Sequence, residues 1–209
     1  RNKFERVTGR DLFHKVRENM DALLDAGIPF KLNAVAMRGF NDDELPAFVD
    51  YAMRHPVDVR FIEFMPMGEG TRWSDSCFWP APDILDAVKG LVSVAPVEQG
   101  QRSGGPARLY ALSDPDGPGL GRLGLITPLS SHFCTACNRL RITSDGALRT
   151  CLFDDREYRL RNALRHPRLG IEAVRRIVTL ATREKPIGAR LLERRRNAVA
   201  QRRMTAIGG

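Results

Sequence analysis

The chain has 209 residues, of which 43% are hydrophobic and 28% are charged, and its net charge is +8. This composition predicts a soluble globular protein with one large domain or two small ones. It contains no apolar stretch of about 18 residues, so no membrane span is predicted. No signal peptide precedes the first helical pattern and the chain does not begin with methionine, so we expect a cytoplasmic fragment or processed chain.

The first third of the chain alternates helical and strand patterns. Apolar residues recur at helical spacing over residues 12–24, with Thr8 as the expected N-cap and Gly27 as the expected stop. Residues 30–37 and 57–65 read as buried strands. Between them, Asn41 and Glu44 resemble a capping box that opens a helix. The order helix, strand, helix, strand predicts an α/β fold with parallel strands.

After residue 65 the sequence becomes rich in glycine and proline, and we place a domain boundary near residue 75. The predicted elements that follow are helices at residues 83–89, 155–166 and 170–183 and strands at residues 108–112, 124–127, 139–143 and 147–153. The last two strands flank Ser144-Asp145-Gly146, which is a hairpin turn signal.

The basic balance suits anionic partners such as nucleotides, phosphates or nucleic acid. Much of the positive charge lies late in the chain, in the arginine runs at residues 194–196 and 202–203. A solvated helix face is the favoured explanation of such runs. No aromatic residues interleave them, which weakens the case for base stacking, and we expect no nucleic-acid partner.

Three of the four cysteines cluster around the predicted hairpin. Cys134 and Cys137 form a C-x-x-C pair and Cys151 follows the hairpin, whereas Cys77 stands apart and reads as an incidental buried thiol. Three thiolates suit an iron–sulfur cluster with one open iron. His132 could instead complete a closed zinc site of three cysteines and one histidine. Residue spacing alone leaves both metal sites, and a purely structural pair of thiols, open.

The residues around the cysteines carry a resemblance. Residues 133–146, Phe-Cys-Thr-Ala-Cys-Asn-Arg-Leu-Arg-Ile-Thr-Ser-Asp-Gly, and residues 151–153, Cys-Leu-Phe, are similar to the C-terminal cluster motif of the GTP 3′,8-cyclase family. Further similar segments occur in the family's order across the chain, at residues 31–33, 61–66, 105–107, 124–126 and 207–209.

The resemblance implies a fold in two parts. Residues 1–75 would be the C-terminal part of a partial TIM-like radical SAM barrel, and residues 76–209 a smaller α+β domain holding an iron–sulfur cluster. The radical-generating motif C-x-x-x-C-x-x-C does not occur in this sequence. In the family that motif lies in a region that would precede Arg1, so we expect this chain to begin inside the barrel and to be inactive alone.

The family converts GTP to 3′,8-cyclo-7,8-dihydroguanosine 5′-triphosphate in molybdenum cofactor biosynthesis. The implied cofactors are S-adenosylmethionine, a substrate-binding 4Fe-4S cluster in this chain and a second 4Fe-4S cluster in the N-terminal region. The implied pathway partner is cyclic pyranopterin monophosphate synthase. The full-length protein is expected to be a monomer or homodimer without a membrane partner.

By position, the resemblance also assigns individual residues. It implies that the cluster ligands are Cys134, Cys137 and Cys151, and that GTP is bound by Lys31, Arg139, Leu140 and Arg141. It implies that Met65 contacts S-adenosylmethionine and that the tail residues Gly208 and Gly209 enter the active site.

The residue types are compatible with these roles. The two arginines alternate on the predicted strand, so both would point to one face and could grip a triphosphate. The alternatives are a solvated strand face for the arginines, a snorkelling Lys31, a core Met65 and a frayed tail.

Two other functions stay open. One is a related radical SAM enzyme with an auxiliary cluster and another substrate. The other is a zinc-stabilised basic module that binds nucleic acid. The chain also departs from the family after Lys185-Pro186, where many members have a histidine and this sequence has Ile187-Gly188-Ala189.

Overall fold

The structure is a computed structural model that describes residues 1–68, 70–98, 105–131, 134, 137–194, 200, 202, 206 and 207, with the side chains of 193 and 194 excepted. The chain divides into two compact units. The first combines Arg1–Phe64 with Asp75–Ser130, and the second combines Met65–Ser74 with Ser131–Gly209. The first unit therefore continues well past the boundary drawn near residue 75 on sequence texture.

The first unit is a mixed five-stranded sheet with helices. Its helices are α1 (Asn2–Thr8), α2 (Phe13–Asp25), α3 (Leu45–Arg54), which follows a 3-10 turn at Asp42–Glu44, and α4 (Ala81–Lys89). Its strands are β1 (Lys31–Ala36), β2 (Asp58–Glu63), β3 (Ser93–Pro96), β4 (Arg108–Asp114) and β5 (Gly117–Ile126). The strand order is β1-β2-β5-β4-β3. The predicted parallel pairing is confirmed for β1 with β2, and β5 joins β2 in parallel as well. β3 and β4 are antiparallel additions.

One face of this sheet forms the core. Val59 and Phe61 of β2 and Leu123 and Leu125 of β5 are almost fully buried in one cluster with apolar residues of α3 and α4. Burial of a large apolar side chain contributes about 1.5–3 kcal/mol. The predicted α/β class follows from this arrangement, because α3 and α4 connect and cover strands of one sheet.

The opposite face carries polar residues in register. Lys31, Asp58 and Arg122 lie side by side on β1, β2 and β5. A carboxylate oxygen of Asp58 accepts a hydrogen bond from Arg122 Nε at 2.7 Å, and the other accepts one from Arg60 at 2.9 Å. Burial raises the pKa of Asp58, but the two guanidinium groups outweigh it and the pKa is lowered.

The helix ends confirm the predicted stop at Gly27 and show that the predicted caps at Thr8 and Asn41 are wrong. Gly27 adopts φ +65° just after α2, and the amides of Gly27 and Ile28 donate to the carbonyls of Leu24 and Leu23, which is the predicted stop. Thr8 is not the cap of α2, because it ends α1 and its hydroxyl bonds the carbonyls of Phe4 and Arg10.

Asn41 does not form a capping box with Glu44. Its side chain accepts a hydrogen bond from the amide of Met37 and donates one to the carbonyl of Val35. The buried amide of Asn41 therefore secures the end of β1 and is not free to cap a helix.

Buried Glu63 at the end of β2 organises the loop that follows β5. Its carboxylate accepts hydrogen bonds from the amides of Ala81, Leu129 and Ser130 at 2.8–3.0 Å. The single carboxylate thus holds both the start of α4 and the chain after Ile126.

The second unit contains a small antiparallel sheet and three helices. The strands are β6 (Arg141–Ile142), β7 (Ala147–Arg149) and β8 (Tyr158–Arg159), in that order. The helices are α5 (Leu160–Arg165), α6 (Gly170–Arg183) and α7 (Gly188–Arg194). Among the described residues of either unit, none of the helices has the length and apolar character needed to cross a membrane.

Candidate functional site

The predicted hairpin is confirmed, and it controls where the cysteines lie. β6 pairs with β7 so that Arg141 lies opposite Arg149. Thr143 closes the turn, because its hydroxyl oxygen accepts a hydrogen bond from the amide of Ala147. Gly146 adopts φ +82° in this turn. Cys137 precedes the first strand and Cys151 follows the second, so the hairpin returns the two thiols to the same end.

The cysteine sulfurs meet around a glycine of α7. A Cβ atom on the buried Gly188 would lie 2.9 Å from the sulfur of Cys151 and 3.7 Å from that of Cys134. It would also lie 3.0 Å from Phe153. Any side chain at position 188 would therefore occupy the space that these thiols border.

The sulfur of Cys137 accepts hydrogen bonds from an ammonium group and a backbone amide. The ammonium nitrogen of Lys185 is 3.4 Å from its sulfur, and the amide of Arg139 also donates to it. Burial opposes ionisation of Cys137, but these two donors outweigh it and lower the pKa of the thiol.

Cys151 lies in a different environment. Burial raises its pKa, against a hydrogen bond from the amide of Phe153. The nearby thiols of Cys134 and Cys137 raise the pKa further. The effect of Cys134 and Cys137 on this pKa reflects how near both thiols lie to Cys151.

Arg141 stands next to these thiols. It is half-buried, and burial lowers the pKa of its guanidinium, with Arg139 acting in the same direction while Cys137 and Cys151 oppose the change. Arg139 and Leu140 are exposed. A cationic, partly desolvated side chain beside thiol ligands can bind an anion more strongly than an exposed one can.

The arginines do not alternate on one strand as predicted, because β6 includes Arg141 but not Arg139. The backbone of Arg139 is engaged elsewhere: its amide donates to the sulfur of Cys137, and its carbonyl accepts the ammonium of Lys185. These contacts replace the strand hydrogen bonds at residue 139.

The remaining predicted site residues are distributed over the chain. Lys31 is exposed on β1, on the sheet face opposite α3 and α4, and Met65 is half-buried just after β2. Cys77 is half-buried in the first unit, and its carbonyl accepts the amide of Arg38. Gly208, Gly209 and His132 lie outside the described residues.

The chain just before the tail is anchored to the hairpin. Arg202 forms a two-pronged ion pair with Asp145 at 3.0 and 3.2 Å and also contacts Glu157. The amide of Ser144 donates to the carbonyl of Ala206, and Ile207 is fully buried.

Three soft sulfur donors near one another are chemically compatible with an iron–sulfur cluster. Within the described part of the chain, no three His, Cys, Asp or Glu side chains form a group that could hold one ion. In a 4Fe-4S cluster each cysteine binds a different iron, so the thiolates stand further apart than around one ion. The soft sulfur donors suit iron, and the lack of a side chain at Gly188 lets the sulfur of Cys151 lie close to the backbone there.

Sequence reasoning missed two residues of this site, Lys185 and Gly188. Both lie in the stretch after α6, which departs from the family pattern in its missing histidine. Lys185 precedes Pro186 and Gly188 lies two residues after that proline. This pattern could not be interpreted without the contacts to the cysteines.

Fold and site together define a mixed α/β protein with a small hairpin unit that gathers three thiols beside basic side chains. The chain matches the Molybdenum Cofactor Synthesis C family over residues 57–191, and it belongs to that family.

Several relatives extend the similarity beyond this range. A GTP 3′,8-cyclase of Syntrophomonas wolfei is 40% identical over 185 residues, which cover 88% of this chain and 55% of the relative. One of Alkaliphilus oremlandii is 39% identical over 210 residues, covering 100% of this chain and 61% of the relative. Molybdenum cofactor biosynthesis protein 1 of Drosophila melanogaster is 35% identical over 187 residues, which are 88% of this chain and 32% of that protein. The chain thus spans little more than half the length of the bacterial relatives.

Proposed function

We propose that this chain supplies the GTP-binding part of a GTP 3′,8-cyclase, with Cys134, Cys137 and Cys151 as ligands of a 4Fe-4S cluster. The parent reaction is the radical SAM conversion of GTP to 3′,8-cyclo-7,8-dihydroguanosine 5′-triphosphate in molybdenum cofactor biosynthesis. The family membership and the names of the relatives support this proposal. The observation that carries it is the convergence of thiols over Gly188 beside the half-buried Arg141.

The roles follow from the chemistry of each group. Held by three thiolates, the cluster would offer one iron with an open position for a guanine nitrogen. Arg139 and Arg141 would take the phosphates, because guanidinium groups bind phosphate oxygens in pairs. Leu140, exposed between them, would contact the nucleotide with its apolar side chain.

Residues outside the hairpin have proposed roles as well. Lys31 would add a second positive contact to GTP, and Met65 would contact S-adenosylmethionine. Gly208 and Gly209 would form the tail that enters the active site. The contacts of Arg202 and the burial of Ile207 support this role, because both fix the chain shortly before its last two residues.

The proposed fold context is the partial barrel. With the boundary moved from residue 75 to that of the compact units, the first unit would belong to the radical SAM barrel and the second to the cluster domain. The parallel strands β1 and β2, with α3 packed on one face, support the barrel assignment. A second 4Fe-4S cluster, bound outside this chain, would cleave S-adenosylmethionine. A cytoplasmic monomer or homodimer would then pass its product to cyclic pyranopterin monophosphate synthase.

Metal analysis tests the ligand assignment. After anaerobic reconstitution we expect iron and sulfide in equal amounts in the wild-type chain and markedly less of both in Cys151→Ala. Gly188→Ala should also lose cluster, because its Cβ would stand 2.9 Å from the sulfur of Cys151. Cys77→Ala, the matched control, should retain it. If the wild-type chain contains zinc and no sulfide, the site is a structural metal site and the cluster assignment is wrong.

Nucleotide affinity tests the arginine assignment. Arg141→Ala should keep its iron and weaken GTP binding by about 1.5–3 kcal/mol, the range for hydrogen bonds to charged groups. The loss should be smaller for guanosine, which has no phosphates. Arg165→Ala removes an exposed arginine from α5 and serves as the control for net charge. Equal losses in both variants would reject a specific phosphate contact.

A further inference from the structure

We infer that Lys185 is a positioning residue of the cysteine site: its ammonium holds the Cys137–Arg139 loop in place and raises the reduction potential of the cluster bound there. This inference rests on the cluster proposed above.

The contacts of the ammonium carry the first half of the inference. The nitrogen of Lys185 lies 2.7 Å from the carbonyl oxygen of Cys137 and 2.9 Å from that of Arg139. It also lies 3.4 Å from the sulfur of Cys137. A lysine has three N–H donors, and each of them has an acceptor here. The two carbonyls flank a single residue, so one side chain closes the loop that contains a ligand and a predicted phosphate contact.

The local sequence prepares Lys185 for this position. It follows α6, and its amide donates to the carbonyl of Thr182. The next residue, Pro186, restricts the backbone of Lys185 to extended conformations and limits its freedom. Gly188, two residues further, borders the sulfurs of Cys151 and Cys134. The link between α6 and α7 therefore provides the ammonium at one thiol, and the glycine that begins α7 permits the close approach of the other two.

Its environment separates Lys185 from an ordinary surface lysine. The residue is half-buried, and its ammonium is bonded to a ligand loop 48 residues away in the chain. Exposed lysines are usually held by mobile carboxylate partners, and such pairs contribute little. Here the acceptors are two backbone carbonyl oxygens and a sulfur. Removal of the ammonium would remove the hydrogen bonds that it donates to them.

An effect on the reduction potential follows from charge. Reduction adds one electron and makes the cluster and its thiolates more negative. A nearby ammonium and an N–H bond to a ligand sulfur stabilise the more negative state. Loss of Lys185 should therefore make the cluster harder to reduce, which lowers its potential.

The experiment compares four variants of the reconstituted protein. Lys185→Met keeps the length of the side chain without donor or charge, Lys185→Gln keeps a donor without charge, and Lys185→Arg keeps both. Arg183→Met removes an exposed charge from the end of α6 two residues away and is the matched control. Iron and sulfide are determined first, and the reduction potential is then measured by redox titration followed by electron paramagnetic resonance.

We expect the potential to fall in Lys185→Met, to fall less in Lys185→Gln, and to stay near the wild-type value in Lys185→Arg and Arg183→Met. If Lys185→Met fails to hold the cluster, the comparison of Lys185→Gln with Lys185→Arg decides. An unchanged potential in the charge-free variants would overturn the inference while the cluster assignment stands. A wild-type protein without iron and sulfide would overturn both.

Discussion

Cys137 precedes the hairpin in the chain and Cys151 follows it, but their sulfurs contact different groups. Cys137 accepts hydrogen bonds from the Arg139 amide and the Lys185 ammonium, whereas Cys151 is the more deeply buried of the two. The pKa of Cys137 is accordingly lowered and that of Cys151 raised. The two thiols thus differ in acidity, and a metal bound by both would have to supply more of the ionisation at Cys151.

This difference predicts the order of thiol reactivity. In the reduced, metal-free chain, the alkylation rate of Cys137 should rise at lower pH than that of Cys151, because the thiolate is the reactive form. Mass spectrometry after timed iodoacetamide treatment at a series of pH values gives both profiles. In urea the two profiles should merge near the ordinary cysteine value of about 8.5. Identical profiles in the folded chain would show that the donors at Cys137 have no effect on its ionisation.

At the scale of secondary structure, the buried ion pairs of Asp58 join two central strands. Asp58 of β2 bonds Arg122 of β5, and its side chain is only 7% exposed. Replacement by Asn should destabilise the chain by about 3–5 kcal/mol, the range for breaking a buried pair from one side. Urea unfolding measures the loss. Asp114→Asn, at the end of β4, changes a carboxylate that accepts hydrogen bonds from turn amides, and it serves as the control.

The same carboxylate predicts a pH dependence. Because the pKa of Asp58 is lower in the folded chain, its contribution is complete above its unfolded pKa of about 3.9. The contribution is lost as the pH falls through the lower folded pKa. Stability of the wild type should therefore drop more steeply below about pH 4 than that of Asp58→Asn. If the curves of stability against pH are parallel for the two proteins, groups other than Asp58 cause the loss of stability in acid.

Local patterns predicted most of these elements and some of their ends. The strands at residues 31–36 and 58–63 and the stop at Gly27 follow from apolar runs and glycine conformation, which are short-range effects. The Asn41 capping box failed because a buried amide found backbone partners on the other side of its own loop. Lys185 and Gly188 could not be found in this way, because their partners are distant in sequence and only the folded second unit brings them together.

At the scale of the whole molecule, the edge of the sheet is the least protected part of the first unit. β1 is an edge strand in the described sheet, and Val35 on it is exposed. Other large apolar side chains exposed in the first unit are Val7, Leu12, Phe13, Val16, Ile28, Leu91 and Leu120. Exposed strand edges and apolar patches favour contacts between copies.

We therefore predict that the isolated 209-residue chain self-associates as its concentration rises. Val35→Lys should reduce the association, because an edge lysine discourages strand pairing. Leu120→Lys, at an exposed position of the interior strand β5, is the control and should have little effect. Sedimentation velocity over a concentration series measures this, and a monomer at every concentration would contradict the prediction.

The most direct measurement of the central claim is the electron paramagnetic resonance spectrum of the reduced, reconstituted chain with and without GTP. If Cys134, Cys137 and Cys151 hold a cluster with one open iron beside Arg141, GTP should shift the spectrum. ATP at the same concentration should not, because it carries the same phosphates with a different base. A shift by both nucleotides would indicate phosphate binding without guanine at the iron. A cluster spectrum unchanged by GTP would contradict the account.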